Sequence, residues 1–111
     1  ALNRERKLIS VEELEKLILS EEEVQIVDAR VESQYQTHHV EGARNIPHEK
    51  LRQEADTLDK NQITVTYCNK GNTGNAAQNI LINRGFKKVY NISGGHRTYE
   101  KRLLLKGPPM K

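Results

Sequence analysis

The sequence predicts an α/β fold built on a mainly parallel, five-stranded sheet with helices on both faces. Strand-like and helix-like segments alternate along the chain, which is the signature of parallel strands joined by crossover helices. One strand-like run, Ile63–Tyr67, delivers the only cysteine, Cys68, into a glycine-containing loop that opens a helix. Open α/β sheets place their sites at the carboxyl ends of strands in this way. At 111 residues, 35% hydrophobic and 30% charged, the chain can bury one core and is too short for two ordinary domains.

Taken in order, residues 7–9 read as a short first strand. Ser10 and Glu13 have the spacing of a capping box, and Val11, Leu14, Leu17 and Ile18 form an apolar helical stripe behind it. Val24–Asp28 is mostly apolar, as a strand covered on both faces should be. A short helix over 31–36, a short strand over 44–46 and a helix over 48–55 follow, the last placed just after Pro47. Ile63, Val65 and Tyr67 alternate with Thr64 and Thr66, a period of two in β-branched and aromatic residues. Ala76, Ala77, Ile80 and Leu81 recur at helical spacing before Gly85, which predicts a helix over 75–84 stopped by that glycine. A strand over 88–91 and a helix over 95–104 capped by Ser93 complete the series. The domain is expected over 7–105, with tails at 1–6 and 106–111.

Charge is unevenly spread. Residues 1–66 hold nine Lys/Arg against fourteen Asp/Glu, and residues 67–111 hold nine against one, within a net charge of +3. Cys68 lies in the basic half, where a positive field gathers anionic reactants and favours a thiolate. No RNA-binding motif or aromatic platform accompanies the basic residues, so a nucleic-acid partner is not expected. No apolar run approaches the roughly 20 residues that span a bilayer, and the charged first residues do not read as a signal peptide. A cytoplasmic protein without a membrane partner is expected, in keeping with a single cysteine that forms no internal disulfide.

A lone cysteine is ordinarily a small buried hydrophobe, but the setting of Cys68 argues for chemistry. The loop amides and the unpaired N–H groups at the start of the next helix favour negative charge in one concavity. A thiol held there loses its proton more easily. Gly71 and Gly74 would let the backbone take positive φ and let a substrate approach the main chain.

The segment Cys68-Asn69-Lys70-Gly71-Asn72-Thr73-Gly74 resembles the active-site loop of rhodanese domains, the sulfurtransferases that carry sulfur as a cysteine persulfide. Three further segments are similar to that family in the same order. Ile26-Val27-Asp28-Ala29-Arg30 resembles its strand ending in Asp-x-Arg, followed by Glu32 and Tyr35. His39-Val40-Glu41-Gly42-Ala43-Arg44-Asn45-Ile46-Pro47 resembles its His-Ile-x-Gly-Ala-x-x-Ile-Pro segment, and Val89-Tyr90-Asn91-Ile92-Ser93-Gly94-Gly95 its hydrophobic run ending in Gly-Gly. Three departures stand out. His38 stands where a Gly commonly precedes the His-Ile pair. Asn69 follows the cysteine where thiosulfate-using members tend to carry a cation, which predicts that thiosulfate is a poor donor, and Tyr99 stands where a Trp is usual.

The resemblance implies a three-layer α/β/α fold and a sulfur relay. Cys68 is the implied catalytic nucleophile, with Asn69, Lys70, Gly71, Asn72, Thr73 and Gly74 holding an anionic sulfur donor: thiosulfate, a polysulfide or a low-molecular-weight persulfide. A thiol, a protein cysteine or cyanide is the acceptor. Arg30 is expected to sit behind the site, paired with Asp28 or a neighbouring carboxylate, and Asp28 and His39 to be structural. The four histidines show no metal-binding spacing along the chain, so neither a metal nor a cofactor is expected. Phosphatase chemistry is disfavoured, because Gly74 and Asn75 stand where such loops need a late Arg. The alternative is a non-enzymatic sulfur carrier or accessory module of a flavin-dependent thiol or persulfide reductase, since similar domains occur fused to such enzymes.

Overall fold

The computed structural model describes residues 8–70 and 72–106, apart from the side chains of Asn72 and Lys106. Gly71, residue 7 and most of both expected tails lie outside the described residues. Strands β1 (Leu8–Ile9), β2 (Val24–Asp28), β3 (Arg44–Asn45), β4 (Ile63–Tyr67) and β5 (Val89–Ile92) form one sheet in the order β1-β5-β4-β2-β3. Every neighbouring pair is parallel. Helices α1 (Val11–Leu19), α2 (Glu32–Thr37), α3 (Leu51–Glu54), α4 (Asn72–Asn83) and α5 (Gly95–Lys106) connect and cover the strands.

Alternation along the strands divides the core in two. Ile26, Val65, Tyr67, Tyr90 and Ile92 pack with Val11 and Leu14 of α1 and Tyr99 of α5. On the other face, Val27 and Val89 pack with Leu51 of α3 and Ala77, Ile80 and Leu81 of α4. Thr64 and Thr66 point to this second face and are fully buried. Their hydroxyls remain satisfied there: Thr66 Oγ1 donates to the Gly74 carbonyl at 3.0 Å, and Gln25 Nε2 donates to Thr64 Oγ1 at 2.8 Å. Burying a polar group without such a partner would oppose folding.

The helix ends follow local chemistry. Ser10 Oγ accepts from the Glu13 N–H at 3.0 Å while the Ser10 N–H donates to Glu13 Oε1 at 2.9 Å, the reciprocal pairing of a capping box. At the end of α4 the Gly85 N–H donates to Ile82 O and the Phe86 N–H to Leu81 O, both at 3.1 Å. Gly85 has φ 93°, as the left-handed stop of a Schellman motif requires.

Several boundaries differ from expectation. The segment 48–55 is not one helix: 3₁₀ turns at His48–Lys50 and Ala55–Thr57 flank a single α-turn. Packing anchors only Leu51 and Ala55 fully, and the ends close with tighter bonds, Lys50 N–H to Pro47 O and Leu58 N–H to Ala55 O. The last strand is Val89–Ile92, and α5 runs to Lys106. Gly94 rather than Ser93 precedes α5, and the turn is made by Gly94 and Gly95 at φ 79° and 66°. Among the described residues, no helix is long and apolar enough to cross a membrane.

Candidate active site

Because the strands are parallel, β2, β4 and β5 end at one edge of the sheet, and the sequence elements singled out above meet there. Asp28 closes β2, and its carboxylate grips Arg30 in a fork: Arg30 Nε donates to Oδ1 at 3.0 Å and Nη2 to Oδ2 at 2.7 Å. Tyr67, the last residue of β4, donates its hydroxyl to Asp28 Oδ2 at 2.7 Å and accepts the Val40 N–H at 3.0 Å. Arg30 Nη2 also donates to the His38 carbonyl at 2.6 Å. All three side chains are buried. Burial alone would weaken the Arg30 charge, but the Asp28 hydrogen bonds and charge outweigh it and raise its pKa. Burial, reinforced by the bond to Asp28, pushes the Tyr67 phenol far above its ordinary value. The unit is an ion pair roofed by a neutral phenol.

Cys68 follows directly. It is 6% exposed and lines an open cavity of about 470 Å³. Arg30, Asn69, Lys70 and Thr73 line the same cavity, so five of the residues expected from the sequence converge on it. Asp28 does not; it acts on Arg30 from behind. Asn69 is tied across to α2, its Nδ2 donating to Gln34 Oε1 at 3.2 Å. Gln34, His48 and Glu49 also line the cavity and were missed by sequence reasoning, because nothing in their spacing shows that α2 and the 48–50 turn face Cys68.

Two expectations for the loop change. Helix α4 already begins at Asn72, so Asn72, Thr73 and Gly74 belong to its first turn rather than to a loop, and their amides are those a helix leaves without intrahelical acceptors. Gly74 is not a left-handed hinge. It is a close-packing glycine: a Cβ there would collide with Asn91 Oδ1 and stand 3.1 Å from the Cys68 amide nitrogen and Tyr67 Cα. Gly71 lies outside the described residues.

Helix α5 holds the loop from the opposite side. The His96 N–H donates to the Cys68 carbonyl at 2.6 Å and the Arg97 N–H to the Asn69 carbonyl at 3.1 Å. Gly95 makes this approach possible, since a Cβ would lie 2.5 Å from the Cys68 carbonyl oxygen. The His96 ring is buried, with Nε2 2.8 Å from His38 Nδ1. Burial, the Arg30 charge and His38 together hold its pKa below the ordinary value. His39 stacks on Tyr35 with ring centroids 3.8 Å apart, has its Nδ1 2.8 Å from the Tyr35 carbonyl, and does not line the Cys68 cavity.

The rhodanese-like domain family matches residues 10–102. The chain belongs to that family. Thiosulfate sulfurtransferase PspE of Escherichia coli (strain K12) is 40% identical to this rhodanese-like domain over 70 residues, 61% of this chain and 67% of PspE. Thiosulfate sulfurtransferase GlpE of Coxiella burnetii is 26% identical over 83 residues, 75% of this chain and 78% of GlpE. Among solved structures, reduced Bacillus anthracis CoADR-RHD matches with a TM-score of 0.80 at 22% identity, over 90% of this chain and 17% of that one. That last likeness is one of fold. The rhodanese-like domain described here thus joins a cysteine-bearing loop, an open cavity and an exposed lysine at the carboxyl edge of a parallel sheet.

Proposed function

We propose that this rhodanese-like domain is a sulfurtransferase that carries sulfane sulfur on Cys68 as a persulfide. The observation that carries the reading is the position of Cys68: directly after β4, at the head of the short segment leading to α4, and lining the open cavity. Kinship with the two thiosulfate sulfurtransferases supports it. The Cys68 thiolate attacks the outer sulfur of an anionic donor, thiosulfate, a polysulfide or a small persulfide, and the donor leaves as sulfite or as a shortened sulfur anion. Amides of the Asn69 to Gly74 segment stabilise the charge on Cys68–S–S⁻. A thiolate, a protein cysteine or cyanide then takes the outer sulfur and restores the thiolate. Lys70 orients the anionic donor, and Thr73 donates its hydroxyl to the persulfide. Asn69 is neutral and bonded to Gln34, so the position beside the cysteine offers no cation, which favours persulfide and polysulfide donors over thiosulfate.

The test is thiocyanate formation from cyanide, with thiosulfate and with an inorganic polysulfide, in the native protein and in Cys68→Ser. Activity with polysulfide that disappears in Cys68→Ser is the expected result. Equal activity in the serine variant would remove Cys68 from the reaction. No turnover with either donor would favour a second reading, a sulfur carrier or accessory module of a flavin-dependent thiol or persulfide reductase, which the shared fold with CoADR-RHD supports.

A further inference from the structure

We propose that His38, His96 and Glu100 form a binding site for a divalent first-row metal ion, zinc above all, beside the Cys68 loop. His38 lies just beyond α2, while His96 and Glu100 stand four residues apart on α5 and so share one helix face. The chain separation of 58 residues between the two histidines hides the cluster from any reading of spacing, and the sequence accordingly predicted no metal. In the fold, one ligand atom from each of the three residues lies within 4.8 Å of the others.

His38 Nδ1 and His96 Nε2 already face each other at 2.8 Å. A hydrogen bond between two imidazole nitrogens needs a lone pair on one of them, and moving the shared proton to the far nitrogen of its own ring frees the second lone pair. Both rings then present ligand nitrogens to the same point without a net change in charge. Two ligands on a tetrahedral ion at about 2.0–2.1 Å stand roughly 3.3 Å apart, so the rings need part by only about half an ångström. Glu100 is exposed, and a carboxylate oxygen already lies within 4.8 Å of the ring nitrogens. Two imidazoles and one carboxylate suit zinc, and three protein ligands leave a fourth position open. All three residues line a second cavity of about 330 Å³, together with Ser33 and Thr37. Arg30 lines the same cavity and its charge reaches His96; Asp28 in the buried fork offsets that charge in part. An ion here would clamp α5 to the segment after α2, directly behind the His96 N–H that holds the Cys68 carbonyl.

The decisive experiment is calorimetric titration of Zn²⁺ into protein free of any histidine tag and carrying Cys68→Ser, so that the thiol cannot contribute. One binding site is expected, with affinity falling on the order of tenfold or more in His38→Ala and in Glu100→Gln. Glu100 is exposed, so its variant is expected to fold, as circular dichroism would verify. No binding by the Cys68→Ser protein, or binding that neither variant weakens, would overturn the proposal.

Discussion

Changing Asp28 to Asn would leave the Arg30 guanidinium buried with its counter-charge removed. Breaking one side of such a pair costs about 3–5 kcal/mol, so the urea midpoint of Asp28→Asn is expected to fall sharply. Asp28→Asn combined with Arg30→Met should recover much of the loss, because the second change removes the stranded charge. Gly74→Ala would press a methyl group into Asn91 and the Cys68 backbone. A cost of about 1–3 kcal/mol is expected for such overpacking, read in the same denaturation experiment. His96 gives the pH dependence. Its folded pKa is lowered by burial, by Arg30 and by His38, so below about pH 6.5 the unfolded chain binds a proton that the native one refuses. The stability present above that pH is lost as the pH falls towards the folded value. Urea midpoints measured in EDTA should drop between about pH 7.5 and about pH 5.5, with part of the drop absent in His96→Gln. At this scale the placement of Cys68 at the end of a strand was legible from its local pattern, and so was a carboxylate partner for Arg30, though the sequence left open whether Asp28 or a neighbour supplied it. His38 and His96 were not, because only the sheet brings them together.

Among the elements, α5 governs the site without lining the cavity. In a trans peptide the carbonyl and the following N–H point in opposite directions. With the carbonyls of Cys68 and Asn69 turned towards the start of α5, the N–H groups of Asn69 and Lys70 are turned away from it. Amides oriented before a charge arrives need no reorganisation when it forms. Gly95→Ala, which both strains a φ of 66° and crowds the Cys68 carbonyl, is therefore expected to slow persulfide formation, as followed by single-turnover kinetics. Ser10→Ala is the contrasting case: it removes the α1 capping box at a cost of about 1 kcal/mol and should leave turnover alone. The α1 cap and the Gly85 stop were readable since both depend on residues within a few positions. The start of α4 was misplaced by three residues, because its first turn is fixed by Thr66 and Asn91 on neighbouring strands, and the helix expected over 48–55 broke where burial ran out.

For the molecule as a whole, the acidic first part and the basic second part fold onto each other: Arg102 reaches Glu12 at 3.3 Å and Glu15 at 3.0 Å, joining α5 to α1. The remaining basic residues, Lys70 among them, are expected to speed reaction with a dianionic donor. Raising ionic strength from about 0.01 M to about 0.15 M shortens the Debye length from about 30 to about 8 Å. Persulfide formation from such a donor should slow over that range while alkylation of Cys68 by a neutral reagent does not, a difference measurable by stopped flow. The parallel α/β architecture was legible from the alternation of periods; the strand order was not, since no local pattern records which strands become neighbours. That order has a consequence in time. Strand β1 pairs with β5 alone, Leu8 against Asn91 and Ile9 against Ile92. As the chain emerges from the ribosome amino end first, one edge of this sheet thus waits until the segment through Ile92 has been made, and the domain closes only when its last strand reaches its first.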